Sequence, residues 1–308
     1  MTDCVLLFAG QGAQKVGMGQ DLVQASPIAK DLFAKADQVL DRKLSQILFD
    51  GPEEDLTKTA NCQPALFVHG LAMWAILKDA CPELNPVAAA GLSLGEMTAH
   101  TAAGSFSFEE GLRAVAKRGL LMDEACAEVE GAMAAMVGGD KEAVTALAEE
   151  SGVDVANLNA PGQIVLSGTV EGIDKAVAGA KERKIKLAKK LKVAGAYHSR
   201  LMAGAEAKLG AVLSDAEVNA PQFPVISNFL AEAVSEPAQI RETLQKQVTG
   251  SVRWVESMQL LRSQGQQLFI ELGPGKVLAG LMPRIDKEAT IETAGDWESL
   301  QSLIEKLK

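Results

Sequence analysis

The stretch PVAAAGLSLGEMTAHTAAG, residues 86–104, decides how this chain is to be read. An apolar run from Val87 to Leu92, entered from Pro86, fits a short buried parallel strand, and the residues from Glu96 onward fit a helix. At the junction Ser93 stands between Gly91 and Gly95, in the pattern Gly-x-Ser-x-Gly. A serine on so sharp a strand-to-helix turn is pushed out of the sheet, and both glycines allow the strand and helix to approach closely. Its hydroxyl then lies beside the backbone N–H of Leu94 at the positive end of the helix, where an oxyanion of acyl transfer can be stabilised.

Working outward, Val5 to Phe8 is a first buried strand that runs into the loop Ala9 to Gln14, at the end of a strand where α/β sheets bind ligands. The loop lacks the Lys-Ser/Thr of a P-loop and the third glycine of a dinucleotide fingerprint, which excludes both. Ser26 and Pro27 open a helix through about Leu40, with Ile28, Leu32, Val39 and Leu40 expected to face the core. After Asn61-Cys-Gln-Pro64 comes a helix through Ala80 that is apolar almost all round, as for a helix packed between a sheet and an outer layer. Phe108 to Cys126 is another helix, on which Arg118 and Met122 share a face.

From Gly131 the texture changes. Strands over 132–137, 153–158, 163–167 and 185–193, with helices over 141–150 and 171–183, make a βαββαβ unit of ferredoxin-like type. Strands at 224–228 and 267–272 resume the α/β alternation. The expected fold is therefore α/β, a hydrolase-like parallel-sheet core from residues 1–127 and 197–308 with a ferredoxin-like insertion at 128–196. Active-site groups would then meet across the cleft between the two parts. Residues 181–192 hold seven Lys or Arg against one acid in a chain whose net charge is −10. Ile185, Leu187, Leu191 and Val193 alternate there with Lys184, Lys186, Lys190 and Lys192, which places most of these lysines on one solvated face. That face is either a solubilising surface or a dock for an acidic partner.

Composition excludes several classes. With 47% hydrophobic residues in 308, the chain has the composition of a globular protein large enough for one core and a smaller domain. The start of the chain has no basic region ahead of its short apolar run, and the longest apolar stretch, Pro64 to Leu77, is too short to span a bilayer, so a cytoplasmic location and no membrane partner are expected. Four scattered cysteines and three separated histidines form neither a disulfide framework nor a metal site. The acidic balance argues against nucleic acid.

A serine nucleophile needs a base. His100 lies two turns up the helix from Ser93, too far to take its proton, and His69 lies inside an apolar helix. His198, in Gly195-Ala-Tyr-His-Ser199, is left, and the chain order serine then histidine fits a hydrolase-like sheet. No acid is singled out as third member, so a main-chain or side-chain carbonyl is a candidate to orient the imidazole.

These residues resemble the malonyl-CoA:acyl carrier protein transacylases over nearly the whole chain. The likeness is carried by Phe8 through Gln14, Gln63-Pro-Ala65, Gly91 through Glu96, Arg118 through Met122, Asn157 through Gln163, Gly195 through Ser199, Gln247 with Val252-Arg-Trp254, and Glu271 through Lys276. The resemblance implies that Ser93 is acylated with His198 as its base, and that the N–H groups of Gln11 and Leu94 form the oxyanion hole. It also implies that Arg118 grips the malonyl carboxylate, Gln247 orients His198, and Gln63, Met122 and Tyr197 line the substrate pocket. A guanidinium fork suits a carboxylate, although spacing alone does not choose Arg118 over Arg113. Three positions depart from the family pattern: Leu92 stands where histidine is usual, Ala9 where proline is usual, and Ala13 where serine is usual. Tyr197 favours malonyl over branched acyl groups.

The implied activity is malonyl transfer from malonyl-CoA to the pantetheine thiol of an acidic holo acyl carrier protein, supplying fatty acid synthesis, by a monomer with no cofactor of its own. Lys186, Lys190 and Lys192 are the expected docking residues. A transacylase serving a polyketide synthase, a serine esterase or thioesterase, and a non-catalytic docking module are the rivals; the last two have no need of Arg118.

Overall fold

The computed structural model describes residues 2–308. The chain opens with β1 (Thr2–Phe8) and five helices: α1 (Gln20–Ala25), α2 (Pro27–Val39), α3 (Leu44–Asp50), α4 (Glu53–Thr57) and α5 (Thr59–Ala80). There follow β2 (Leu84–Gly91), α6 (Leu94–Ala102) and α7 (Phe108–Glu128). The next stretch contains β3 (Gly131–Val137), α8 (Lys141–Ser151), β4 (Asp154–Ala160), β5 (Gln163–Thr169), α9 (Val170–Gly179) and β6 (Leu187–Lys190). The remainder is α10 (Ala203–Asp215), β7 (Val225–Ile226), β8 (Ala233–Val234), α11 (Pro237–Lys246), α12 (Trp254–Ser263), β9 (Leu268–Leu272), α13 (Val277–Ile285), β10 (Thr290–Ala294) and α14 (Trp297–Leu307).

Two sheets result. The larger has the order β10-β9-β1-β2-β7-β8, parallel except for the β7–β8 hairpin. Central strand β1 is buried on both faces, so its side chains divide by alternation. Val5 and Leu7 join Trp254, Met258 and Leu281 of α12 and α13 on one side, while Cys4, Leu6 and Phe8 join the core under α2, α5 and α7 on the other. Helix α5, packed against α2, α6 and α7, is accordingly buried along nearly its whole length. The smaller sheet is antiparallel, in the order β4-β5-β3-β6, with α8 and α9 over one face. Its other face sends Met133, Ala156 and Val165 into the main core. Its edge is also tied to the core chain: Leu158 N–H donates to Val252 O at 2.9 Å and Val252 N–H to Ala156 O at 2.8 Å.

Helix starts follow side-chain chemistry. Ser26, Ser107, Asp140 and Thr169 each accept a first-turn N–H at the heads of α2, α7, α8 and α9. In α2, however, the fully buried residues are Ala29, Phe33 and Ala36; Ile28, Leu32, Val39 and Leu40 pack only partly buried at the flank of the core. The stripe is rotated because Phe33 stacks on Phe49 of α3 and points beneath Gly19. Helix α5 begins at Thr59 and contains the Asn61–Pro64 segment instead of following it.

The last strand of the small sheet departs further from expectation. It spans four residues, not nine, and α9 stops at Gly179, with a turn to Lys184 at φ 58°. Leu187 is 54% exposed, and Leu191 and Val193 are exposed too, leaving Ile185 as the buried apolar residue of the set. Of Lys184, Lys186, Lys190 and Lys192, only Lys190 lies within the strand; it pairs across the sheet with Ala134, on the side of α8 and α9, and reaches Asp174 of α9 at 2.7 Å. An edge strand has only one neighbour, so alternation in sequence does not guarantee that its apolar residues find a surface to cover.

No helix among the described residues is long and apolar enough to cross a membrane. None of their His, Cys, Asp and Glu side chains gather in a group of three or more able to hold a metal ion.

Candidate active site

The site is built at the carboxyl ends of β1 and β2. Ser93 lies between β2 and α6 with φ 56° and ψ −107°, a conformation L-residues avoid. The turn is too tight for side chains on either side. A Cβ on Gly91 would meet the Gly95 carbonyl carbon at 1.9 Å, and one on Gly95 would meet Phe8 O at 2.1 Å. Asn228, just past β7, pins the elbow: its Oδ1 accepts Ser93 N–H at 2.6 Å and its Nδ2 donates to Gly91 O at 2.8 Å. Leu92, partly buried, packs against the core under α12 and α13.

Ser93 Oγ lies 2.8 Å from His198 Nε2, and His198 Nδ1 lies 2.8 Å from the main-chain oxygen of Gln247. A carbonyl can only accept, so Nδ1 carries the proton and Nε2 is left to accept from the serine hydroxyl. It is the backbone of Gln247 that meets the imidazole; its side chain is used elsewhere. Burial, and next the nearby charge of Arg118, push His198 down to about 4, against which its contacts with the Gln247 and Gly250 backbone act weakly. The imidazole is therefore neutral at pH 7, the form a base requires.

Arg118, on α7, is 1% exposed. One arm donates to Gln63 Oε1 at 2.7 Å; the other reaches Gln247 Oε1 at 2.9 Å and Ser93 Oγ at 3.1 Å. All of these acceptors are neutral, and among the described residues Arg118 has no ion-pair partner. Burial lowers its pKa to about 10, so it stays charged at neutral pH. The fork is thus buried, charged and hydrogen-bonded to neutral oxygens beside Ser93, with the nearby Glu96 carboxyl partly offsetting the effect of burial. Arg113, the other arginine of the helix, is exposed and paired with Glu110 at 3.3 Å.

The remaining expected residues fall around this centre. Gln63 also donates to Met122 Sδ at 3.4 Å, and the Tyr197 hydroxyl shares a hydrogen bond of 2.6 Å with Thr59. Leu94 is the first residue of α6. Gln11 lies in the loop after β1, and its side chain bonds Tyr197. That loop abuts the elbow, since a Cβ on Gly10 would come 2.4 Å from Leu92 O. His69 and His100 are both wholly buried in the core, away from the serine. Lys190 lies exposed on β6, and Lys186 and Lys192 lie exposed just outside that strand; none enters the centre.

Two residues at the heart of the site were not assigned roles from sequence. Asn228 gave one usable signal, a polar residue at the carboxyl end of a core strand. Glu96 sits inside the elbow motif, yet nothing in its spacing indicates that it is wholly buried with its Oε2 2.6 Å from Gln247 Nε2.

The family model described as "Acyl transferase domain" matches residues 5–303. The malonyl CoA-acyl carrier protein transacylase of Bacillus subtilis is 43% identical, covering 100% of this chain and 98% of its own. Among solved structures, an acyl carrier protein S-malonyltransferase from Vibrio cholerae superposes with a TM-score of 0.93 at 36% identity, over 98% of this chain and 100% of that one. A malonyl-transacylase in complex with a type II PKS acyl-carrier protein gives 0.95 at 36% identity, over 99% and 100%.

Proposed function

The chain belongs to the acyl transferase family, and from that premise we propose that it transfers malonyl from malonyl-CoA to the thiol of a holo acyl carrier protein through an ester on Ser93. In the first stage His198 Nε2 takes the Ser93 proton as Oγ attacks the thioester carbonyl. The oxyanion is met by the N–H groups of Leu94 and Gln11, the C–S bond breaks, and the imidazolium returns its proton to the departing thiolate. In the second stage the carrier's pantetheine thiol gives its proton to His198 and attacks the ester; collapse releases malonyl-carrier and restores the serine. Arg118 holds the malonyl carboxylate, and Gln63, Met122 and Tyr197 shape the pocket around it. No resident cofactor is needed for these steps.

The observation that carries this reading is the buried guanidinium, hydrogen-bonded to neutral oxygens only, 3.1 Å from Ser93 Oγ. A general esterase has no use for it. We read the architecture as a hydrolase-like core, 1–127 with 197–308, and a ferredoxin-like insertion, 128–196. The carrier docks, in this reading, along the basic edge of the insertion at Lys186, Lys190 and Lys192, in the cytoplasm. Fatty acid synthesis is the service we assign; the likeness to a transacylase bound to a type II PKS carrier keeps polyketide synthesis as the second reading, and assay with each carrier separates them.

The test is incubation with malonyl-CoA alone, followed by intact mass and peptide mapping. A stable malonyl adduct on Ser93, discharged by holo carrier protein, is expected. An adduct on a cysteine, or hydrolysis with no transfer to any carrier, would overturn the proposal.

A further inference from the structure

Glu96 lies in the first turn of α6, three residues past Ser93, and is 0% exposed. An acid at that position commonly turns back to cap its own helix. Its partners here come from two other segments of the chain. Oε2 accepts the backbone N–H of Asn228 at 2.9 Å and Gln247 Nε2 at 2.6 Å. Through Asn228 it supports the elbow from behind; through Gln247 it reaches Arg118.

The second connection depends on which way an amide points. A glutamine side chain has a donor end and an acceptor end of nearly the same shape, and its hydrogen-bond partners decide between them. In Gln247 the donor end is held between Glu96 Oε2 and Ser93 O, the latter at 3.0 Å, so the oxygen end faces Arg118 at 2.9 Å. Turned over, the amide would set its NH2 against the guanidinium and its oxygen against a carboxylate and a carbonyl. Both contacts would be repulsive in a buried site. Glu96 Oε2 is the nearer of the two acceptors that hold the observed orientation.

We infer that Glu96 is a positioning residue for acyl-group selection: by fixing which end of the Gln247 amide meets Arg118, it aims the guanidinium at the carboxylate of the acyl group on Ser93. The inference rests on the proposed role of Arg118 and deepens it. Glu96 itself touches neither acyl group nor thiol.

The readout is the ratio of malonyl to acetyl loading on Ser93, measured from malonyl-CoA and acetyl-CoA by intact mass. Glu96→Gln keeps an oxygen where Oε2 stands and is expected to hold the ratio within about threefold of the parent. Glu96→Met removes the acceptor, and the gentler Glu96→Asp draws it back; each is expected to lower the ratio by about tenfold or more, through malonyl. Gln247→Ala is expected to lower it similarly, and the Met variant combined with it to lower it no further, because both changes break one chain of contacts. Equal losses for the two acyl groups in Glu96→Asp and Glu96→Met, or full additivity with Gln247→Ala, would overturn the inference. Arg118→Ala serves as the control. If it leaves the ratio unchanged, the role given to Arg118 fails; if it lowers the ratio while Glu96→Asp does not, the inference about Glu96 fails alone.

Discussion

Arg118 and Lys190 are both long cations, one from the helix behind the nucleophile and one from the edge of the small sheet, and the fold treats them in opposite ways. Arg118 is buried, touches only neutral oxygens, and has its pKa pulled down to about 10 by desolvation. Lys190 is exposed and already paired with Asp174, itself about half exposed, at 2.7 Å. In the first setting water does not compete for the charge, so its interactions are strong and little screened; in the second, water and salt screen it within about 8 Å. Charge in a sequence therefore says little about function until burial is known.

The contrast can be tested at both ends. The largest effects belong to the centre. Ser93→Ala is expected to abolish the malonyl adduct, and His198→Ala to slow acylation by roughly a hundredfold to ten-thousandfold, read by stopped-flow or quenched mass measurements. Survival of the parent rate in either variant would remove the centre from the comparison altogether.

Arg118→Ala is expected to weaken malonyl transfer by about 2–5 kcal/mol, or roughly thirtyfold to a few thousandfold in kcat/KM, while acetyl loading is kept or improved. Arg118→Lys, which keeps the charge without the fork, is expected to fall between parent and alanine variant. Equal losses for both acyl groups would make Arg118 a structural cation and erase its difference from a surface lysine.

The acid limb of the pH profile sharpens the same point. Neutral His198 is the working form, so kcat/KM for Ser93 acylation is expected to hold above about pH 5 and to fall as pH drops through about 4. Arg118 contributes to that depression, second to burial. Removing it is expected to raise the His198 pKa and move the acid limb of acetyl loading to higher pH; an unmoved limb would mean that burial alone sets the value.

Stability carries a related signature. His69, His100 and His198 are held down to about 4, 3 and 4, whereas an unfolded histidine titrates near 6.5. Between those values the unfolded chain binds more protons, so stability is lost as pH falls through 6.5 toward 4, by about 1.4 kcal/mol per pH unit for each proton of difference. Glu96, raised to about 7 by burial, takes up a proton in the folded state first and opposes this, as does Glu271, which burial also raises, so two groups oppose three. Net destabilisation in urea melts between pH 7 and 5 is the expected outcome, and equal stability at both would contradict it.

The smallest effect is expected at the surface. Reversing the charges of Lys186, Lys190 and Lys192 together is expected to lower kcat/KM for the carrier protein a few-fold at low salt, with no effect on malonyl-CoA loading, and the difference is expected to fade as salt rises. Unchanged carrier kinetics at low salt would make the basic edge a solubilising surface only.

What could be read from the chain alone was whatever depends on neighbours in sequence. The elbow at Ser93 was legible because three residues within five positions impose one turn. Strand β1 and helix α5 were legible because their apolar patterns match burial on every side, and the choice of His198 followed from helical rise and chain order. The parts that failed depend on distant partners. Strand β6 alternates in sequence, but at a sheet edge nothing covers Leu187. The face of α2 was rotated by what Phe33 packs against. Arg118 could not be told from Arg113, since both lie on one helix and only the packing of α5 and the approach of residue 247 bury the former. That the main-chain oxygen of Gln247 orients His198, while Glu96, Asn228 and the Gln247 amide close a network beneath Ser93, was decided by tertiary structure. These contacts join residues up to 154 positions apart. Hydrogen-bond direction and desolvation are set only when such groups meet in space.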